Sequence, residues 1–298
     1  MLNDDPADLA AALRAAAAEL AAAGVPSPRA DAELLAAHLL GIGLGELRVA
    51  ALLGAGVPDG FADLVAERAR RIPLQHLTGV AHFRRLELAV GPGVFIPRPE
   101  TEGVAQLVID YLLTGPAAGT DRPVAIDLGT GSGALAASIA AEVPHSRVYA
   151  VELSELAHAW ASRNLRDYGD QVSLRLGDLR TAFDDLDGQA DVVVSNPPYI
   201  PDDAVPNEPE VAEHDPELAL YGGGGDGMVL PSAALRSAAR LLRPGGYFVM
   251  EHAEVQAAAM LGRFRQSGFT GVSSHRDLAG KARATSGYLA DAASPSKK

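Results

Sequence analysis

The chain has 298 residues, a formal net charge of −13 and no cysteine, and hydrophobic residues make up 48% of it. The length is comfortable for two domains with a sizeable core, and the missing cysteine excludes disulfides, zinc–thiolate sites and cysteine nucleophiles. The acidic balance argues against duplex DNA as a partner, because phosphate contacts usually need a basic face.

Ala7–Ala23 consists of helix formers and stops at Gly24, with Pro26 and Pro28 behind it. Asp4, Asp5 and Asp8 precede this apolar run, and Arg14 and Glu19 interrupt it. It is therefore read as an ordinary helix and not a signal peptide, which needs a basic start and an unbroken apolar stretch. Pro28–Leu40 predicts a second helix, with Leu34, Leu35, His38 and Leu39 on one stripe and Gly41 as its stop. Phe61–Arg71 predicts a third. Short helices with short loops suggest a small bundle over residues 1–82. Phe83–Val90 alternates loosely, and Gly91-Pro92-Gly93 and Pro97–Pro99 punctuate the residues after it, which predicts a β-hairpin linker over 83–100. No uncharged apolar run approaches the ~18 residues of a membrane span, so the cytoplasm is the expected compartment.

Thr101–Leu113 is again helical. From Pro123 strand and helix alternate: strands over Val124–Leu128, Arg147–Val151, Val172–Leu176, Asp191–Ser195, Tyr247–Glu251 and Gly271–Asp277, and helices over Ala134–Glu142, Glu155–Asp167, Ala233–Leu242 and Val255–Ser267. This alternation predicts an α/β domain over 101–290, with a parallel sheet covered by helices on both faces. Residues 291–298 read as a flexible tail. Ligands of such sheets bind at the carboxyl ends of the strands.

Two motifs fall at those ends. The first, Asp127-Leu-Gly129-Thr130-Gly131-Ser132-Gly133, follows an apolar strand and opens a helix. Its glycines permit a tight turn with close backbone approach, and the helix start offers free N–H groups. Glu152 ends the next strand, where a carboxylate would accept from both hydroxyls of a ribose. Gly129-x-Gly131-x-x-Ala134 also satisfies the dinucleotide fingerprint, so two cofactors fit this much. Asp127 would hold the ammonium of a methionine, and Asp178, with Leu179 after it, is placed to meet an adenine. These favour S-adenosylmethionine. No metal site is expected.

The second motif, Ser195-Asn196-Pro197-Pro198-Tyr199, follows the fourth strand of the series. An amide or aryl amino nitrogen delocalises its lone pair and is a poor nucleophile. It needs both N–H groups held so that the lone pair faces the methyl donor. The Asn196 side-chain oxygen and the Pro197 carbonyl could accept them. Pro197 and Pro198 would fix the backbone so that the acceptors converge, and the Tyr199 ring could cover the planar group.

The sequence resembles the bacterial peptide chain release factor glutamine N5-methyltransferases over nearly its whole length. Arg29-Ala-Asp-Ala-Glu-Leu-Leu35, Gln75–Phe83, Phe95-Ile-Pro-Arg-Pro-Glu-Thr-Glu102, Glu210–Gly227 and Arg276-Asp-Leu-Ala-Gly280 carry the resemblance beside the two motifs. It implies a Rossmann-like, seven-stranded S-adenosylmethionine-dependent methyltransferase domain behind a helical bundle that helps hold the substrate. It also implies methylation of the glutamine in the Gly-Gly-Gln loop of class-1 release factors, with S-adenosylhomocysteine as product. The family more often has an aspartate at the position of Glu152, and some members an aromatic at that of Leu179.

The rival reading is an amino methyltransferase of DNA adenine or RNA guanine, with the same chemistry at Asn196. Between Ile200 and Gly227 there are eight acidic residues and no lysine or arginine, which would repel a phosphate backbone near the motif. Arg68, Arg70, Arg71, Arg84 and Arg85 form the one basic concentration, read as a solvated face or as a contact for an acidic partner. A nicotinamide enzyme would leave Asn196–Tyr199 unexplained, and His214 and His252 are read as structural. A monomer is the default expectation.

Overall fold

A computed structural model describes residues 8–291, so the expected tail falls, but for Asp291, outside the described residues. The first helices are α1 (Leu9–Ala22), α2 (Pro28–Leu40), α3 (Leu44–Leu52), α4 (Phe61–Ala69) and α5 (Leu74–Thr78). Then come β1 (Val80–Phe83), β2 (Leu86–Ala89), α6 (Thr101–Leu113), β3 (Val124–Leu128), α7 (Ala134–Glu142), β4 (Arg147–Glu152), α8 (Glu155–Leu165), β5 (Val172–Leu176) and β6 (Ala190–Ser195). The chain continues through α9 (Pro209–His214), α10 (Glu217–Leu220), α11 (Val229–Leu241), β7 (Leu242–Glu251), α12 (Ala257–Gln266), β8 (Phe269–Arg276) and β9 (Ala282–Leu289). Two compact units result. A helical unit takes the residues up to Val80 together with Pro206–His214, and a sheet unit takes Ala81–Val205 and the residues from Asp215 on.

In the helical unit, Leu9, Leu20, Leu35, Ala36, Leu47, Phe61 and Val65 form the core. Helix α1 begins at Leu9 because Asp8 caps it, its carboxylate accepting from the Ala10 amide at 3.1 Å. Helix α2 ends at Gly41, whose φ of 64° is cheap only for glycine. The stripe expected on α2 differs from the buried face, which is Asp31, Ala32, Glu33, Leu35, Ala36 and Ala37, with His38 exposed. Small alanines face inward there, and two carboxylates are buried because they are paired. Asp31 accepts from Arg68 at 2.8 Å, and Glu33 from Arg48 at 2.7 Å and Arg29 at 3.0 Å. Helix α3 lies outside the sequence expectation, since three glycines at its start read as loop. Glu46 reaches back to the Gly43 amide at 3.0 Å and starts it.

Two arginines of the basic run and one carboxylate of the acidic run pair inside this unit. Glu210 of the short helix α9 accepts from Arg68 at 2.9 Å and from Arg71 at 2.8 and 2.5 Å. Arg84 is spent in the sheet unit, donating to Glu142 at 2.6 Å and Gln106 at 2.8 Å, which fastens the β1–β2 turn to α6 and α7. Neither a solvated face nor a patch awaiting an acidic partner describes Arg68, Arg71 or Arg84.

The sheet of the second unit has seven strands in the order β5-β4-β3-β6-β7-β9-β8. Strands β3 to β7 run parallel, and β9 pairs antiparallel with both β7 and β8. The expected parallel sheet carries an antiparallel edge, and β9, absent from the reading of the residues, is its seventh strand. Val104, Val108, Leu112, Leu135, Ile139 and Ala161 from α6, α7 and α8 cover one face. Leu235, Ala238, Met260 and Phe264 from α11 and α12 cover the other, where Phe264 stacks on Phe248 at 5.2 Å. Chain order reverses between β3 and β6, which creates a crevice at their carboxyl ends.

Burial alone would raise the Glu210 carboxyl, but hydrogen bonds from Arg71 and Arg68 overcome it and hold the group down at about 2. Its stabilising effect is complete above the ordinary carboxylate range and fades as pH falls from there toward 2. Glu210→Ala is expected to destabilise the helical unit by about 3 kcal/mol at neutral pH, because Arg71 loses its counter-charge and Arg68 keeps only Asp31. Urea unfolding between pH 3 and 7 checks this, with the gap to the unsubstituted chain narrowing toward the acid end.

Candidate active site

The crevice is built from the ends of β3 and β6. All residues of both strands are buried. Ser195, last in β6, donates its hydroxyl to the Leu128 carbonyl, last in β3, at 2.6 Å. The two expected motifs leave the sheet side by side from this junction.

Residues 129–133 form a tight loop. The amides of Gly129 and Thr130 both donate to the Val151 carbonyl, at 3.0 and 2.9 Å. Gly129, Gly131 and Gly133 have φ of 79°, 58° and 86°, the region that disfavours any Cβ. A Cβ on Gly133 would also stand 3.2 Å from Leu165. Asn164 locks the outer side, donating to the Ser132 carbonyl at 2.8 Å and the Ala89 carbonyl at 2.9 Å. Sequence reasoning missed Asn164, since only the fold brings α8 beneath this loop.

Asp127 is fully buried in β3. One of its oxygens accepts from the Thr130 hydroxyl at 2.6 Å, and the other, Oδ1, has no partner among the described residues. Burial pushes its carboxyl up to about 7, with the Thr130 hydroxyl and the Ala136 amide offsetting only part of the rise. An orphaned buried carboxylate oxygen at the mouth of a glycine cradle suits a ligand with a cationic group. Thr130 thus serves Asp127, and Ser132 is buried with its carbonyl held by Asn164. Glu152, at the end of β4, accepts from the Gly131 amide at 2.8 Å through one oxygen and from the Ser154 amide at 2.8 Å through the other. Each oxygen keeps a lone pair for a hydroxyl donor.

Asp178 is engaged locally. It accepts from the Arg180 amide at 2.8 Å and from the Arg180 guanidinium at 2.8 and 2.9 Å, and that guanidinium lowers its carboxyl below the ordinary range. The structure thus gives it a turn-forming role beside the one expected from sequence. Leu179 flanks the cradle, 4.0 Å from where a Cβ of Gly129 would stand.

Beyond Ser195 the Asn196–Tyr199 loop is clamped from behind. The Ile200 amide donates to Leu220 O and the Gly222 amide to Ile200 O, both at 2.9 Å, and Gln256 donates to Tyr199 O at 2.8 Å. Gly222 and Gly227 lie against the loop's backbone. A Cβ on Gly222 would stand 2.7 Å from Pro198 O and 2.8 Å from Tyr199 Cα, and one on Gly227 2.2 Å from Tyr199 O. The glycine run after the motif is therefore the motif's seat.

On its front the loop meets two residues to which the sequence reading assigned no role. Asn196 donates through Nδ2 to the Thr101 hydroxyl at 3.3 Å. Thr101, first residue of α6, donates in turn to Glu251 at 2.7 Å, and the Tyr199 hydroxyl donates to the other Glu251 oxygen at 3.4 Å. Burial raises the Tyr199 phenol well above its ordinary value, so it stays protonated and donates. No donor among the described residues reaches Asn196 Oδ1 or Pro197 O. His252, next to Glu251, is buried between Thr285 Oγ1 and Ala253 O, both at 2.9 Å, which is the structural role expected of it.

Gly222→Ala is expected to destabilise the sheet unit by about 1–3 kcal/mol, the usual cost of forcing atoms into a packed site. A lowered melting temperature would be the sign, and an unchanged one would mean that the loop rests on something else.

Comparison with known proteins agrees with this geometry. Residues 11–79 match the family model described as the PrmC N-terminal domain, and residues 86–211 that of the methyltransferase small domain. The release factor glutamine methyltransferase of Streptomyces coelicolor is 50% identical over 282 residues, spanning 92% of this chain and 96% of its own. A protein of Streptomyces pristinaespiralis named 4-amino-L-phenylalanine/4-methylamino-L-phenylalanine methyltransferase is 41% identical over 262 residues, with 87% and 88% covered. Among solved structures, the hMettl16 catalytic domain in complex with MAT2A 3′UTR hairpin 6 shares the fold, with a TM-score of 0.53 at 15% identity, covering 76% of this chain and 82% of that one. The Bifidobacterium longum enzyme that carries the same name as the Streptomyces coelicolor one is 42% identical over 90% of this chain and 95% of its own, and with identity of this order sustained across both units the chain belongs to the S-adenosylmethionine-dependent release factor glutamine methyltransferases.

Proposed function

We propose that the chain transfers the methyl group of S-adenosylmethionine to the side-chain amide nitrogen of the glutamine in the Gly-Gly-Gln motif of class-1 release factors, in the cytoplasm. The observation that carries this reading is the pair of unengaged acceptors, Asn196 Oδ1 and Pro197 O, on a loop clamped beside the glycine cradle. They suit a planar –NH2 group, which has two hydrogens to be held and a lone pair to be aimed.

Asp127, through Oδ1, would hold the cofactor's ammonium, and Glu152 its ribose hydroxyls. Leu179 would flank its adenine. Asp178 could accept from the adenine amine only by sharing oxygens now given to Arg180. Bound there, S-adenosylmethionine supplies an electrophilic methyl. Asn196 Oδ1 and Pro197 O take one N–H each and turn the nitrogen lone pair toward that methyl. No strong base is needed, because the nitrogen's proton becomes acidic only as the N–C bond forms. It then leaves along the hydrogen bond to an acceptor and on to water. The rate comes from positioning and from dipoles already oriented before reaction.

The deciding experiment offers methyl-labelled S-adenosylmethionine with purified release factor, duplex DNA, ribosomal RNA and 4-amino-L-phenylalanine in separate reactions. Mass spectrometry then locates the methyl group. Label on the Gly-Gly-Gln glutamine is expected, with turnover falling roughly 10²–10³-fold in Asn196→Ala, the usual loss for one preorganised polar contact. The Streptomyces pristinaespiralis relative favours keeping an arylamine as the second reading, and label on that amino acid alone would establish it. Label on nucleic acid alone would retain the chemistry and overturn the substrate.

Asp127 gives a second check. Its carboxyl must be ionised to meet an ammonium, so cofactor affinity should weaken as pH falls below about 7. Isothermal titration should find Asp127→Asn weaker at pH 8 and lacking that dependence. A variant that binds as tightly as the unsubstituted chain at pH 8 would remove Asp127 from the cofactor site.

A further inference from the structure

We infer that Thr101 and Glu251 are positioning residues for methyl transfer: their hydrogen-bonded chain holds the Asn196 side-chain amide so that Oδ1, and not Nδ2, faces the substrate. The inference rests on the reading of Asn196 as an acceptor for the substrate amide.

An asparagine amide can turn end for end, and its two ends demand opposite partners. Turned one way it offers the substrate –NH2 group an acceptor. Turned the other way it sets donor against donor and leaves a buried group unpaired. Proline neighbours fix the backbone but say nothing about this flip. Thr101 decides it. Its hydroxyl has one hydrogen, and Glu251 takes it at 2.7 Å. Only lone pairs remain toward Asn196, which must therefore present N–H, as it does at 3.3 Å. The same carboxylate accepts from Tyr199 at 3.4 Å, so one buried anion orders both polar side chains of the loop. The three anchor points come from the start of α6, the end of β6 and the end of β7.

The arrangement has a pH dependence of its own. Facing Glu251 are Thr101 and Glu100 from the start of α6, Tyr199 from beyond β6, and Arg283 from β9, itself paired with Asp277 at 3.1 Å. Burial pushes the Glu251 carboxyl up to about 7, against the hydrogen bonds from Thr101 and Tyr199. Protonated, it would give its hydrogen to Thr101 Oγ1 and free the threonine hydrogen for Asn196 Oδ1. The amide would then be held the wrong way round. kcat at saturating cofactor should therefore fall as pH drops through about 7.

The test measures kcat, KM for both substrates and the pH profile in Thr101→Val, Thr101→Ser, Glu251→Gln, Asn196→Ala and the double variant Thr101→Val/Asn196→Ala. Thr101→Val should lose about 10–100-fold in kcat, a range typical of partners that orient a reacting side chain, while cofactor KM stays unchanged. Thr101→Ser should restore it to within a few-fold. The loss should vanish in the Asn196→Ala background, since nothing is left to orient. The acid limb should be absent from Thr101→Val and from Glu251→Gln, which cannot ionise. Full kcat in Thr101→Val, or a loss that multiplies in full with that of Asn196→Ala, overturns the inference while leaving Asn196 its role. Full kcat in Asn196→Ala overturns the reading beneath it. Thr101→Ala replaces the valine variant if that one does not fold.

Discussion

The bond from the Ser195 hydroxyl to the Leu128 carbonyl, 2.6 Å long and wholly buried, joins the two strand ends from which all the chemistry hangs. Strands β3 and β6 are neighbours at the point where the sheet's winding reverses. No crossover helix covers the gap above them, so the backbone there is open to a ligand. Tying the strand ends together sets the spacing between a glycine cradle on one side and an acceptor loop on the other. The reaction needs that spacing, because donor and nucleophile must approach within a fraction of an ångström of contact distance before the barrier falls.

Much of this was legible because the informative residues are close in sequence. Gly129–Gly133 after an apolar strand dictates a turn whatever surrounds it, and Asn196–Tyr199 at a strand end carries its acceptors with it. The shell around them was not legible. Thr101 lies 95 residues from Asn196 and Glu251 lies 150 from Thr101, and no local pattern connects such positions. Nothing near the glycines at 222 and 227 in the chain announces their purpose, yet they are small because another backbone presses on them. Helix α3 and strand β9 escaped for opposite reasons. Glycines disguise the start of α3, and β9 carries small and polar residues in place of an apolar run. Asp178 illustrates the reverse hazard, since a residue suited to a ligand can also be suited to its neighbour.

The charge pattern shows how a composition argument can be right in sum and wrong in place. The chain is strongly acidic, and that bears on nucleic acid as a partner. Yet Arg68, Arg71 and Glu210 stood out as concentrations of opposite sign, and each is the other's partner. The buried carboxylates at Asp127 and Glu251 differ in kind. Their surroundings raise them toward neutrality, whereas Glu210 is driven toward full ionisation. A carboxyl poised to titrate near neutral pH stands where function is expected, and one pinned as an anion stands where structure is.

The discontinuous make-up of the helical unit carries a consequence for biosynthesis. Its first five helices lie within the first 80 residues, but the anion that completes the Arg71 pair is 139 residues further along the chain. At ribosomal speeds of about 5–20 residues per second, roughly 7–28 s separate the two. During that interval the nascent bundle holds two guanidiniums, one of them already among packed side chains, with no Glu210 to meet them. The bundle therefore reaches its final stability only after β3 to β6 have been made, and the order of translation ties completion of the amino-terminal helices to a segment from the second half of the chain.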